Sequence, residues 1–185
     1  MHHIYTTPAF IVSSTPYGEA GKFLFLFTKD FGMIGTVAQG VRLLKSKLKY
    51  HIQDYSLSKV SIVRGKEVWR LTGASEVEDT IKPNTLHIKI LKLLKRLLPG
   101  EEKNTELFEI IESVYKTDIN DFDIIIVEYL TVLRILFVLG YIKQTEEINR
   151  YLNNNLINQV LINDLSMNKN IIIGLINKGL HESQL

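Results

Sequence analysis

Arg42, Lys45, Lys47 and Lys49 fall within eight residues, with Leu43, Leu44 and Leu48 between them, and no acid occurs from Phe31 to Gln53. Cations at that density, with no carboxylate nearby to pair them, suit a polyanion. Each can neutralise a phosphate and release a condensed counterion, whatever the base sequence. A solvated surface or a segment lying on an anionic membrane would use similar residues, although this strip is short and falls between strands. Lys22, Arg64, Lys66 and Arg70 lie in neighbouring strands and turns and can extend the patch. Tyr50, Tyr55 and Trp69 can stack on unpaired bases. Core packing is the more ordinary use of Trp69 and of Phe23, Phe25 and Phe27.

Other chemistries find little support. There is no cysteine, which excludes disulfides, thiolate zinc sites and cysteine nucleophiles and fits a cytosolic protein. His2 and His3 are terminal, and His51, His87 and His181 are scattered without metal-ligand spacing. No glycine-rich phosphate loop occurs, and Ser13, Ser14 and Ser46 lack a nearby histidine and acid. Glu76, Glu78 and Asp79, and then Asp118, Asp121 and Asp123, sit where elements should end, and solvated caps are their default. The expectation is a protein that is not an enzyme and has no metal and no cofactor. A metal-dependent nuclease built on Asp118 to Asp123 is the remote alternative.

The elements that would position the strip read as two kinds. "PAFIVSS", bounded by Pro8 and Pro16, "KFLFLFT", "MIGTVAQG", "YSLSKVSIV" and "EVWRLTGA" are short, β-branched or aromatic, and separated by turn residues. Gly35 marks a bulge or a close backbone approach. Five short strands over about seventy-five residues suggest a small barrel or sandwich. Near Lys82-Pro83 the period changes. "NTLHIKILKLLKRLL" has helical spacing, opened by Asn84 or Thr85 and closed by Pro99-Gly100. "NTELFEIIESVYK" is a second amphipathic helix, and a long buried third helix should run from near Asp121 to Gly140. "TEEINRYLNN" and "NKNIIIGLINKGL" read as helices, with connections at 153–155 and 163–166. The predicted class is α+β by composition: a β domain over residues 1–80, then an all-α domain over 81–185.

Charge follows the same division. Residues 1–75 hold ten Lys or Arg against four Asp or Glu, a net +6, and residues 76–185 hold twelve against sixteen, a net −4. The two halves should meet different partners. The most apolar stretch, Ile124 to Ile142, contains Glu128 and Arg134, which favours a core helix over a membrane span. The N-terminus lacks the basic and apolar segments of a secretory signal.

The ordered motifs Tyr17-Gly18-Glu19, Phe27-Thr28, Asp30 to Gly32, Ala38-Gln39-Gly40 and Lys45-Ser46-Lys47-Leu48 resemble the N-terminal domain of the RecO family. "LTGASEVED" looks like the family's last strand and acidic exit. "LLKRLLPGEEKNTELFEIIES" and "LRILFVLGY" follow in the family's order, so the resemblance covers about residues 8–142. It implies a five-stranded OB-fold barrel followed by helices. It also implies a non-enzymatic mediator that binds single- and double-stranded DNA, anneals complementary strands and assists RecA loading in recombinational repair. Its implied partners are DNA, RecR and single-stranded DNA-binding protein, with no membrane, in the cytoplasm at the nucleoid. Two features depart from the family. The four-cysteine zinc motif that often follows the Gly-Tyr pair is missing after Gly140-Tyr141, so no zinc is expected, and residues beyond about 145 align with nothing. The rival reading is a partner-binding scaffold of the repair machinery that has lost DNA binding. Within the main reading the expected DNA contacts are Arg42, Lys45, Lys47 and Lys49, with Lys22, Arg64, Lys66 and Arg70 as the outer set, and Leu43, Leu44 and Leu48 are expected to anchor the strip to the barrel.

Overall fold

Alternation of inward and outward residues builds the first unit. The computed structural model describes residues 3–78, 82–152 and 156–184. Five strands, β1 (Ile4–Tyr17), β2 (Gly21–Thr28), β3 (Gly32–Ala38), β4 (Leu57–Arg64) and β5 (Trp69–Glu76), close into a barrel in the order β1-β2-β3-β5-β4. The single parallel pairing among the described residues joins the end of β3 to the start of β5, Thr36 to Trp69 and Val37 to Arg70. This is the closed barrel, of the two architectures the strand pattern allowed, and it is the five-stranded OB-type barrel that the resemblance implies. Leu24 and Leu26 of β2 point inward with Ile11, Ile34, Val60, Ile62 and Leu71. Their alternation partners Phe23 and Phe25 therefore face outward and are half-buried.

β1 is longer than its two prolines suggest. It has 14 residues and contains both Pro8 and Pro16. One half pairs with β4 and the other with β2, with a register shift between Ile11 and Ser13. The shift bends the strand so that it serves both sides of the barrel. Pro8, which has no N–H, contributes its carbonyl to the Lys29 N–H at 3.0 Å. Gly35 is a close approach and not a bulge, because β2 and β3 pair without a break. A Cβ there would lie 2.7 Å from Phe23 Cζ.

The first unit also takes in residues 98–105. The Met33 N–H donates to the Gly100 carbonyl at 3.2 Å, and Lys103 pairs with Asp30 at 3.6 Å. Glu101 accepts from Trp69 Nε1 at 3.2 Å and pairs with Arg64.

The second unit comprises residues 84–97 and 106–185. Its helices are α1 (Thr85–Leu97), α2 (Thr105–Lys116), α3 (Ile124–Val138), α4 (Glu146–Leu152), α5 (Gln159–Met167) and α6 (Lys169–Glu182). The expected boundary at residues 80 and 81 and the expected connection at 153–155 lie outside the described residues. Asn84 Oδ1 accepts from the Leu86 and His87 amides at 3.0 and 3.2 Å, which fixes the start of α1. Asp123 caps α3 through the Ile125 amide at 2.9 Å, so this helix begins later than Asp121. Residues 163–166, expected as a connection, are helical within α5. Asn158 caps that helix, and Ile162 and Leu165 bury its inner face. The polar residues there misled because Asp164 does structural work, accepting from Tyr151 Oη at 2.5 Å and pairing with Arg150 at 3.1 Å.

Two buried polar groups organise these helices. Arg134 on α3 donates from Nε to the Tyr151 carbonyl at 2.7 Å and from Nη2 to the Leu156 carbonyl at 3.3 Å. Burial lowers its pKa to about 10, so it remains charged at neutral pH and ties α3 to the end of α4. His87 on α1 is fully buried. Its Nδ1 accepts from the Asn84 amide at 3.0 Å, and its Nε2 faces the Val114 carbonyl at 3.4 Å. The proton of the neutral ring therefore sits on Nε2.

Desolvation lowers the His87 pKa below 6.5, outweighing the Val114 hydrogen bond, which raises it. The unfolded chain binds this proton first. The stability His87 contributes is therefore full above pH 6.5 and is lost as pH falls from there toward the folded pKa. Urea unfolding followed by helical circular dichroism should show native stability falling across this window, by at most about 1.4 kcal/mol per pH unit from one proton. His87→Gln should flatten that fall. The same acid dependence in both proteins would refute the assignment.

Candidate nucleic-acid interface

Strand register brings three connections to one end of the barrel. Tyr17 pairs with Gly21 at the β1–β2 turn, and Lys22 pairs with Ala38 at the end of β3. The end of β3 pairs in turn with Trp69 and Arg70 at the start of β5. The β1–β2 turn, the β4–β5 turn and the first residues of the basic strip therefore share one rim. Tyr17, Val37, Gln39, Lys66, Val68 and Arg70 line a pocket there of about 290 Å³, with Glu67 on its wall. Gly40 turns the chain with φ +65°, and the Arg42 amide donates to the Ala20 carbonyl at 2.9 Å. That bond ties the strip to the β1–β2 turn.

The strip itself is a chain of turns ending in one 3-10 turn, Leu48–Tyr50. Val41 and Ile52 belong to the barrel core, and Leu48 packs against it. Leu43 and Leu44, expected to anchor the strip with Leu48, do not, being 57% and 92% exposed. The strip is not a regular helix, so its apolar positions do not gather on one face. Arg42, Lys45 and Lys47 are exposed and form no ion pair among the described residues. Lys49 donates to the Leu44 carbonyl at 3.3 Å and lies 5.0 Å from the centre of the Tyr50 ring.

The outer set divides. Lys66 and Arg70 share the pocket with Tyr17 and Gln39. Lys22 has the inward parity of Leu24 and donates to Ser14 Oγ at 3.2 Å, so it stands at the barrel mouth. Arg64 is engaged elsewhere: it pairs with Glu101 and lies 4.8 Å from the Trp69 ring centre.

The aromatic residues divide too. Trp69 and Phe27 are buried, as expected of core residues. Phe23 and Phe25, expected in the core as well, instead form an outer row with Tyr17. The Tyr17–Phe23 centroids are 6.4 Å apart and the Phe23–Phe25 centroids 5.3 Å apart. Tyr50 is 65% exposed, and Tyr55 is half-buried at φ +68°. Tyr17 and Gln39 were not among the expected contacts. The signal for them was the turn at Gly18, which puts residue 17 at a hairpin tip beside the end of β3.

Two of the carboxylates read as possible catalytic groups make local hydrogen bonds to nearby backbone amides. Asp118 accepts from the Asn120 amide at 3.1 Å, and Asp123 caps α3. Asp79 lies outside the described residues. Among the described residues no three His, Asp or Glu side chains are grouped to hold a metal, and no helix is long and apolar enough to cross a membrane.

Residues 1–79 match the family model described as recombination protein O, N terminal. A DNA repair protein RecO from Dehalococcoides mccartyi is 32% identical over 117 residues, which covers 60% of this chain and 46% of that protein. RecO from Thermodesulfovibrio yellowstonii is 30% identical over 115 residues, covering 58% and 46%. RecO from Alkaliphilus metalliredigens is 25% identical over 111 residues, covering 57% and 45%. The chain spans about half the length of these curated relatives. An alignment of 117 residues exceeds the 79 of the domain, so the likeness continues into the helical part. The chain is thus similar to RecO proteins over about 60% of its length, with residues 1–79 matching the family's N-terminal model.

Proposed function

We propose that this chain acts in DNA repair and recombination as a non-enzymatic DNA-binding mediator in the cytoplasm. In this reading it grips phosphates along the barrel rim, anneals complementary strands and assists RecA loading. RecR and single-stranded DNA-binding protein are its partners. The names of its relatives, DNA repair protein RecO, support the process. The observation that carries the binding role is the rim itself. Arg42 is tied to the β1–β2 turn, and Lys66 and Arg70 stand in a pocket beside Tyr17. Arg42, Lys45, Lys47 and Lys49 are the main phosphate contacts, with Lys66, Arg70 and Lys22 beside them. Arg64, paired to Glu101, contributes least. Diffuse cations suit annealing, which must neutralise two strands without reading either.

Changing Lys66 and Arg70 together to Glu tests the pocket. The variant should anneal complementary oligonucleotides more slowly and bind a single strand several-fold more weakly, while its thermal unfolding stays unchanged. Annealing and affinity at the native level would remove the pocket from the interface.

A further inference from the structure

Leu44 is the most exposed large apolar side chain among the described residues, and Leu43 beside it is more than half exposed. The barrel does not use them, since Val41, Leu48 and Ile52 make the strip's inward contacts. Nor are they held loosely. The Leu43 amide donates to the Gly40 carbonyl at 3.1 Å, the Ser46 amide to the Leu43 carbonyl at 3.0 Å, and Lys49 Nζ reaches the Leu44 carbonyl. Two consecutive turns thus present the pair at a tip, with Arg42 before it and Lys45 and Lys47 after it. Exposed Tyr50 lies a few residues further on.

A ligand matched to this tip must carry regularly spaced anions and offer apolar surface between them. Duplex DNA offers the anions but keeps its base faces stacked away. A single strand offers both. We propose that Leu43 and Leu44 contact the faces of unpaired bases while the flanking cations hold the phosphates, so that the strip favours single strands over duplex. This inference rests on the DNA-binding reading above. The link between Arg42 and the β1–β2 turn makes the tip continuous with the rim and its outer aromatic row, which favours nucleic acid over a lipid surface.

The test compares the native protein with the double variant Leu43→Ser, Leu44→Ser. The probes are a fluorescent oligothymidylate, an abasic strand of the same length, a duplex of the same length, and vesicles of phosphatidylglycerol and phosphatidylcholine. Both leucines are exposed, so the variant should unfold at the native temperature. It should bind oligothymidylate about tenfold more weakly, with the native salt slope, and bind the abasic strand and the duplex as the native protein does. Equal losses on all three nucleic-acid probes would overturn the proposal, as would no loss on oligothymidylate that the native protein binds well. Vesicle binding lost in the variant while oligothymidylate affinity holds would overturn it in favour of a membrane contact. Native protein that binds no nucleic-acid probe would overturn the DNA-binding reading as well, and so mark that failure apart from the others.

Discussion

Gly32→Ala should destabilise the barrel unit by about 3 kcal/mol, combining left-handed backbone strain with overpacking. Gly32 has φ +69°, a region that costs any residue with a Cβ. The space is also taken, because a Cβ there would lie 2.1 Å from the Glu102 carbonyl oxygen. The obstacle is backbone, so no rotamer change relieves it. Either β3 shifts or residues 98–105 lift from the barrel. The Met33–Gly100 hydrogen bond and the Glu101 contacts with Arg64 and Trp69 would weaken together. Tryptophan fluorescence during urea unfolding checks this directly, since Trp69 is the only tryptophan and touches Glu101. A variant with native stability and native Trp69 emission would show that residues 98–105 do not pack as described.

That contact also marks where sequence reading reached its limit. The five strands were legible because each alternates, as β2 does with Leu24 and Leu26 inward and Phe23 and Phe25 outward. The start of α1 was legible because Asn84 is a strong cap at the right place, whereas α3 starts at the Asp123 cap, later than the expected Asp121. Residues 98–105 lie between two helices and carry no periodic pattern, so only the tertiary structure assigns them to the barrel. α5 was obscured by Asn163, Asp164 and Ser166, whose preference for turns is overridden by Ile162 and Leu165 on its buried face.

The candidate interface was legible as composition but not as geometry. A run without acids around Arg42, Lys45, Lys47 and Lys49 is visible in one dimension. Which of the remaining cations join it depends on strand register. β3–β5 pairing brings Arg70 to the rim, while a glutamate from another part of the chain takes up Arg64. The leucines were misassigned because the strip is a series of turns and not an amphipathic helix. In turns, spacing does not determine which side chains face inward.

The larger effect is expected at the strip. Changing Arg42, Lys45, Lys47 and Lys49 together to Glu replaces four rim cations with four anions, and none of the four residues belongs to the barrel core. Folding should survive. Affinity for a single strand should fall on the order of a hundredfold or more at low salt, because phosphate neutralisation supplies most of the sequence-independent binding energy. Each lost phosphate contact should also remove about 0.7 from the slope of log affinity against log salt.

The most direct measurement is therefore the affinity of the native protein and of this four-residue variant for a fluorescent single-stranded oligonucleotide across a salt series. The native protein should bind tightly at low salt with a steep slope, and the variant weakly, with a slope flatter by up to about 3. Native protein that does not bind at low salt, or a variant that binds with native affinity and native slope, would contradict the DNA-binding reading.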